Sequence, residues 1–120
     1  MTGHDVYDDG VLRITVVSSP PGLAIAGEID ESTYLALVGK LAEFASGAAE
    51  VHLSLAGVEY CDLAGLRAIV RLASVSTAGQ GSQGSQRRRV VLHDVPRQLR
   101  TALRIVGWDA TPGLVVAQER

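Results

Sequence analysis

From Val11 onward the apolar residues alternate between a spacing of two and one of about 3.6, with Gly, Pro or Asp at each change. With only three helices, that alternation is undersized for a doubly wound dinucleotide fold. It calls for parallel strands joined by right-handed helical crossovers. Val11 to Val17 alternates, with Leu12, Ile14 and Val16 on the face predicted to be buried. Ser18 to Gly22 reads as a turn and Leu23 to Ala26 as the returning strand, so 11–26 is an antiparallel hairpin.

Asp30 is the predicted N-cap of a first helix, with Glu31 in its first turn. Tyr34, Leu37, Val38, Leu41, Ala42 and Ala45 give its apolar stripe, and Gly47 ends it. Val51 to Leu55 is the third strand, followed by a loop over 56–62. Asp62 is the cap of a second helix over 63–78. Leu63 anchors its first turn, Leu66, Ile69, Val70, Ala73 and Thr77 form its buried face, Leu72 and Val75 widen it, and Arg67, Arg71 and Ser74 face solvent. Gly79 to Gln86 has no apolar anchor and reads as a flexible loop, with Arg87 to Arg89 a solvated basic run beside it. A fourth strand over 90–95 and a helix that begins near Pro96 follow. That helix carries Leu99, Ala102, Leu103 and Val106 on one face and Arg97, Arg100 and Arg104 on another, and stops at Gly107. Trp108 is expected to seal the core against Leu103 or Leu114, and Leu114 to Val116 is a last short strand.

The expected fold is therefore α/β: a mixed four- to five-stranded sheet with an N-terminal β-hairpin and helices mainly on one face. Its 120 residues suit one domain, expected over 11–117 after a flexible tail at 1–10 and with a flexible loop at 79–87. An apolar content of 47% at a net charge of -2 excludes a disordered chain. No apolar run approaches the ~20 residues of a membrane-spanning helix. A single cysteine, Cys61, excludes an internal disulfide and, with an acidic N-terminus unlike a signal peptide, favours a cytoplasmic protein. Nine acidic and two basic residues in 1–60 give that half a net -7, while nine basic and four acidic residues in 61–120 give +5. Such a dipole suits a charged protein partner, and the net acidity and few aromatics argue against nucleic acid.

The sharpest local feature is Tyr60-Cys61-Asp62-Leu63-Ala64-Gly65-Leu66, a strand running into a capped helix start. The free N–H groups and positive dipole end there suit a phosphate or a partner's carboxylate; an ordinary capped helix is the plain alternative. Gly65 lets the first turn approach a neighbour closely. Glu28 and Asp30 fall at the same sheet edge as Asp62, because loops after parallel strands gather there. No His or Cys stands at motif spacing beside these carboxylates, so no enzyme, cofactor or metal is expected. His4, His52 and His93 show no metal spacing; the last two lie within strands, where they can come near each other in space, and surface or sheet packing is the plainer reading. Cys61 reads as a small buried apolar residue.

Gly27-Glu28-Ile29-Asp30, the helix after it, Val51-His52-Leu53-Ser54-Leu55-Ala56-Gly57-Val58 and Asp62-Leu63-Ala64-Gly65-Leu66 together resemble the STAS domain of anti-sigma factor antagonists, over about residues 11–117. In that family the last element usually reads Asp-Ser-Ser-Gly-Leu, and a kinase-type anti-sigma factor phosphorylates the second serine to switch binding off. The resemblance implies a non-enzymatic protein that captures a histidine-kinase-like ATPase anti-sigma factor and releases a sigma factor. Asp62, Gly65 and Leu66 match the motif, while Leu63 and Ala64 replace its serines. Ala64 has no hydroxyl, so the usual switch is absent, with Ser32, Thr33 and Ser74 the nearest other hydroxyls. The implied contact residues are Glu28, Asp30, Asp62, Leu63, Ala64, Gly65, Arg67 and Arg71. The alternative is a STAS scaffold subunit of a lipid-transport or stress-sensing assembly. Free strand edges leave a homodimer open.

Overall fold

A computed structural model describes residues 4–18, 21–74 and 88–117; the expectations placed on Ser19, Pro20, Val75, Thr77, the loop after Gly79 and Arg87 lie outside them, as does the side chain of Ser74. Six strands form one sheet in sequence order: β1 (His4–Asp8), β2 (Leu12–Ser18), β3 (Pro21–Ile29), β4 (Glu50–Cys61), β5 (Arg89–His93) and β6 (Leu114–Val116). The pairs β1/β2 and β2/β3 are antiparallel, and β3/β4, β4/β5 and β5/β6 are parallel. Helices α1 (Tyr34–Ala45), α2 (Leu63–Arg71) and α3 (Arg97–Val106) make the three crossovers.

The order is monotonic, so each right-handed crossover advances the same way and places its helix on the same side of the sheet. One core results: Leu12 and Ile14, Leu23 and Ile25, Val51, Leu53 and Leu55, and Val90 and Leu92 meet Leu37, Leu41, Leu66, Ile69, Val70, Leu99 and Leu103. Trp108 packs at the margin of that core. The alternate positions, among them Thr15, Ala24, His52, Ser54, Val91 and His93, line the face without helices.

The mixed sheet, its hairpin and its one-sided helices are as expected. The differences have local causes. The expected tail over 1–10 is a strand from His4 to Asp8, so the sheet has six strands instead of four or five. Asp9-Gly10 is a hairpin turn: Asp9 Oδ1 accepts from the N–H groups of Val11 and Leu12 at 2.8 Å, and Gly10 takes φ +88°. The N-terminal aspartates Asp5, Asp8 and Asp9 thus serve an edge strand and a turn, where their charge also blunts further pairing.

Strands β3 and β4 both run past their expected ends, through the segment read as a loop. Pairing register slips between Ala24 and Ala26, so Leu55 and Val58 are both buried although three residues apart. That bulge erases the period-two signal. Helix α1 begins at Tyr34 and not after Asp30, because Asp30 Oδ1 accepts from the N–H and hydroxyl of Ser32 and holds a turn instead of a cap. Asp94, at φ +55°, ends β5 before Val95.

The basic run is not solvated throughout. Arg88 is 5% exposed, and its Nε, Nη1 and Nη2 donate to the carbonyls of Ala48, Leu72 and Ala45 at 3.2, 3.2 and 3.0 Å. Those carbonyls stand at the C-terminal ends of α1 and α2, where the helix dipoles favour a cation. One side chain ties both helix ends to the start of β5. Replacement Arg88→Met takes the guanidinium from the carbonyls of Ala48 and Leu72, while Ala45 O keeps the Ala48 N–H, and should lower the unfolding free energy by about 2–3 kcal/mol, with Arg88→Lys intermediate because one ammonium cannot span the three. Urea unfolding measures this; a loss below about 1 kcal/mol contradicts it.

Candidate functional site

The C-terminal ends of β3 and β4 lie side by side, with Ile29 opposite Cys61 and Asp62 N–H donating to Ile29 O at 3.1 Å. The α1 and α2 starts therefore share one edge. Asp62 caps α2 as expected, its Oδ1 accepting from Gly65 N–H at 2.8 Å. Gly65 is buried, and a Cβ there would collide with Ile29 Cγ2 while standing 3.3 Å from Asp62 Oδ1 and Cys61 Sγ. The close neighbour of Gly65 is thus the chain's own β3. Leu63 does not anchor the turn: Ile29, the core residue beneath it, is covered by Gly65, and Leu63 is left outside at 55% exposure. Ala64 beside it is also exposed.

Around this apolar turn stand the expected acids. Glu28 is exposed, and Asp30 and Asp62 are half-buried in their turns. The Ser32 hydroxyl, helped by backbone N–H groups, holds the Asp30 carboxyl below its ordinary value. Each aspartate is committed to a local turn, and no bond between the two is found among the described residues. Of the other hydroxyls, Ser32 is exposed, while Thr33 is buried with its Oγ1 donating to Glu28 O and accepting from Asp30 N–H, both at 3.0 Å. Arg67 and Arg71 are exposed on α2, and among the described residues neither forms an ion pair.

Two further exposed apolar residues escape sequence reasoning. Tyr60 in β4 is 54% exposed, and Leu35 in the first turn of α1 is 80% exposed. Leu35 was legible as an apolar residue off the buried stripe; Tyr60 was hidden by the bulged strand. Cys61, expected to be buried, is half-buried at the margin of the core, and burial, with Asp62 adjacent, pushes its thiol up to about 12. Among the described residues no three His, Cys, Asp or Glu side chains are placed to hold one metal ion together, and no helix is long and apolar enough to cross a membrane.

A mixed six-stranded sheet with its helices largely on one face is the topology of the STAS fold. A family model described as "Mlab, STAS domain" matches residues 12–116, and the chain belongs to that family. STAS domains are non-catalytic scaffold and regulatory domains. Among solved structures, an anti-sigma factor antagonist from Mycobacterium paratuberculosis has the same fold, with a TM-score of 0.58 and 21% identity over 97% of this chain and 86% of that one. Comparison with curated protein sequences returns no match.

Two outcomes follow from the packing. Gly65→Ala forces Ile29 to shift and should cost about 1–3 kcal/mol in unfolding free energy, read from the urea midpoint; an unchanged midpoint contradicts the contact. Iodoacetamide at pH 8 should modify native Cys61 at least about tenfold more slowly than the unfolded chain, because the folded thiol stays protonated until far higher pH. Equal rates would show an open thiol.

Proposed function

We propose that this STAS domain is an anti-sigma factor antagonist that docks on an anti-sigma factor of the histidine-kinase-like ATPase type and so releases a sigma factor. The observation that carries this reading is the exposed Leu63-Ala64 turn at the head of α2. A methyl group stands there where the resemblance places a phosphoacceptor hydroxyl. A phosphate at that position would bring about −1.5 to −2 charges onto the contact. With Ala64 the surface stays small and neutral, and binding has no phosphorylation control at this position.

In this reading Leu63 and Ala64 form the apolar centre, Gly65 seats the turn, and Glu28, Asp30 and Asp62 form an acidic border. Arg67 and Arg71 extend the contact along α2 with opposite charge. Peripheral charges of both signs fix register, and the small apolar centre is the part that loses water. The alternative, a non-enzymatic scaffold subunit of a lipid-transport or stress-sensing assembly, is an outcome of the same experiment. Co-purification from the source cell should recover an ATPase-type kinase; recovery of membrane-transport subunits supports the alternative.

Two substitutions then test the turn. Ala64→Glu should weaken binding to the recovered partner at least about tenfold by isothermal titration, since a charge would be buried unpaired. Unchanged affinity places the contact elsewhere. Ala64→Ser should gain phosphate from that kinase and ATP, and an unlabelled protein that still binds would exclude this turn as its substrate site.

A further inference from the structure

On the open face of the sheet, far from any helix of the core, two imidazoles meet head to head. His52 of β4 stands opposite Val91 of β5, and His93 is the next residue of β5 on the same face. Their Nδ1 and Nε2 atoms are 2.8 Å apart, with ring centroids at 5.1 Å and planes 22° from parallel. The centroid separation is the N···N distance plus the two ring radii, so the nitrogens point at one another and the rings do not lie face to face. Gly22 on β3 gives His52 its room: a Cβ there would stand 2.9 Å from His52 Cβ.

The neighbours set the tautomer. Glu50 Oε2 lies 3.1 Å from His52 Nε2 and accepts its hydrogen, which leaves His52 Nδ1 with a lone pair. The hydrogen in the 2.8 Å contact therefore belongs to His93 Nε2. Arg89 Nε, 3.6 Å from the same Glu50 oxygen, holds that carboxylate in place. A carboxylate bonded to the far nitrogen of a histidine is the arrangement that orients an imidazole toward a metal ion and raises its basicity.

We infer that His52 and His93 form a two-imidazole site for a borderline divalent cation of the zinc type, with Glu50 as its orienting carboxylate. Imidazole suits such cations, and Zn–N bonds of about 2.0–2.1 Å in tetrahedral geometry bring two ligand nitrogens to about 3.3 Å. With the centroids held at 5.1 Å, an in-plane turn of about 35° by each ring opens the 2.8 Å contact to that distance and aims both lone pairs at one cation. The cation takes the place of the bridging hydrogen, and that proton passes through solvent to His93 Nδ1, so both rings remain neutral ligands. Among the described residues no third His, Cys, Asp or Glu converges on the pair, so water completes the coordination and the site is an open one. The half-buried position of His52, with its side chain 23% exposed, leaves a path from solvent.

The experiment is a titration of the full chain with Zn²⁺ at neutral pH, followed by calorimetry and by the imidazole ¹⁵N resonances. One Zn²⁺ should bind saturably, move the His52 and His93 resonances, and raise the Tm in a concentration-dependent way, while Mg²⁺ does neither. His93→Ala and His52→Ala should each weaken binding at least about tenfold, and Glu50→Gln by about tenfold, whereas His4→Ala binds as wild type. No saturable binding overturns the site, as do unmoved His52 and His93 resonances, unchanged affinity in His93→Ala, or loss of binding in His4→Ala. The wild-type resonances decide the matter even where a variant fails to fold.

Discussion

Every crossover in this sheet advances in one direction, and the rest of the molecule follows from that constraint. Right-handed connections over a sheet without a reversal of strand order put every helix on one side. The core forms there alone. The helix starts of α1 and α2 come out beside one another, above the ends of β3 and β4. The opposite face carries no helix, which is why two histidines on adjacent strands can meet away from the core.

The edge above β3 and β4 is held from two directions. At its start, α2 is fixed by the Asp62 cap and by the contact of Gly65 with Ile29. At their far ends, α1 and α2 are tied by the three bonds of Arg88. A turn pinned at both ends of its helix presents Leu63 and Ala64 in one arrangement. The same pinning explains why Leu63 is exposed. The space beneath the first turn is taken by Ile29 and Gly65, with no room for a second large side chain.

Much of this was legible in the chain. The period changes located all three helices and five of the strands, Asp62 announced its cap, and the Gly-Glu-Ile-Asp and Asp-Leu-Ala-Gly-Leu elements pointed to the STAS family that the residue 12–116 match shows. What failed did so for identifiable reasons. Bulged strands lose their alternation, so the second half of β4 read as a loop. An aspartate can hold a turn as readily as a cap, and nothing near Asp30 distinguishes the two before Ser32 is placed. Arginine in a basic run looks solvated until the carbonyls that accept its hydrogens are known.

The sequence by itself determined the alternation of strands and helices from Leu12 onward and the absence of a hydroxyl at Ala64, because periodicity and residue chemistry are local properties. Only the tertiary structure decided that Arg88 is buried, that Leu63 stands outside, that Gly65 rests on Ile29, and that His52 and His93 share a hydrogen. Each of these depends on which backbone or side chain from a distant part of the chain occupies the adjoining space, and close packing allows one occupant at each place.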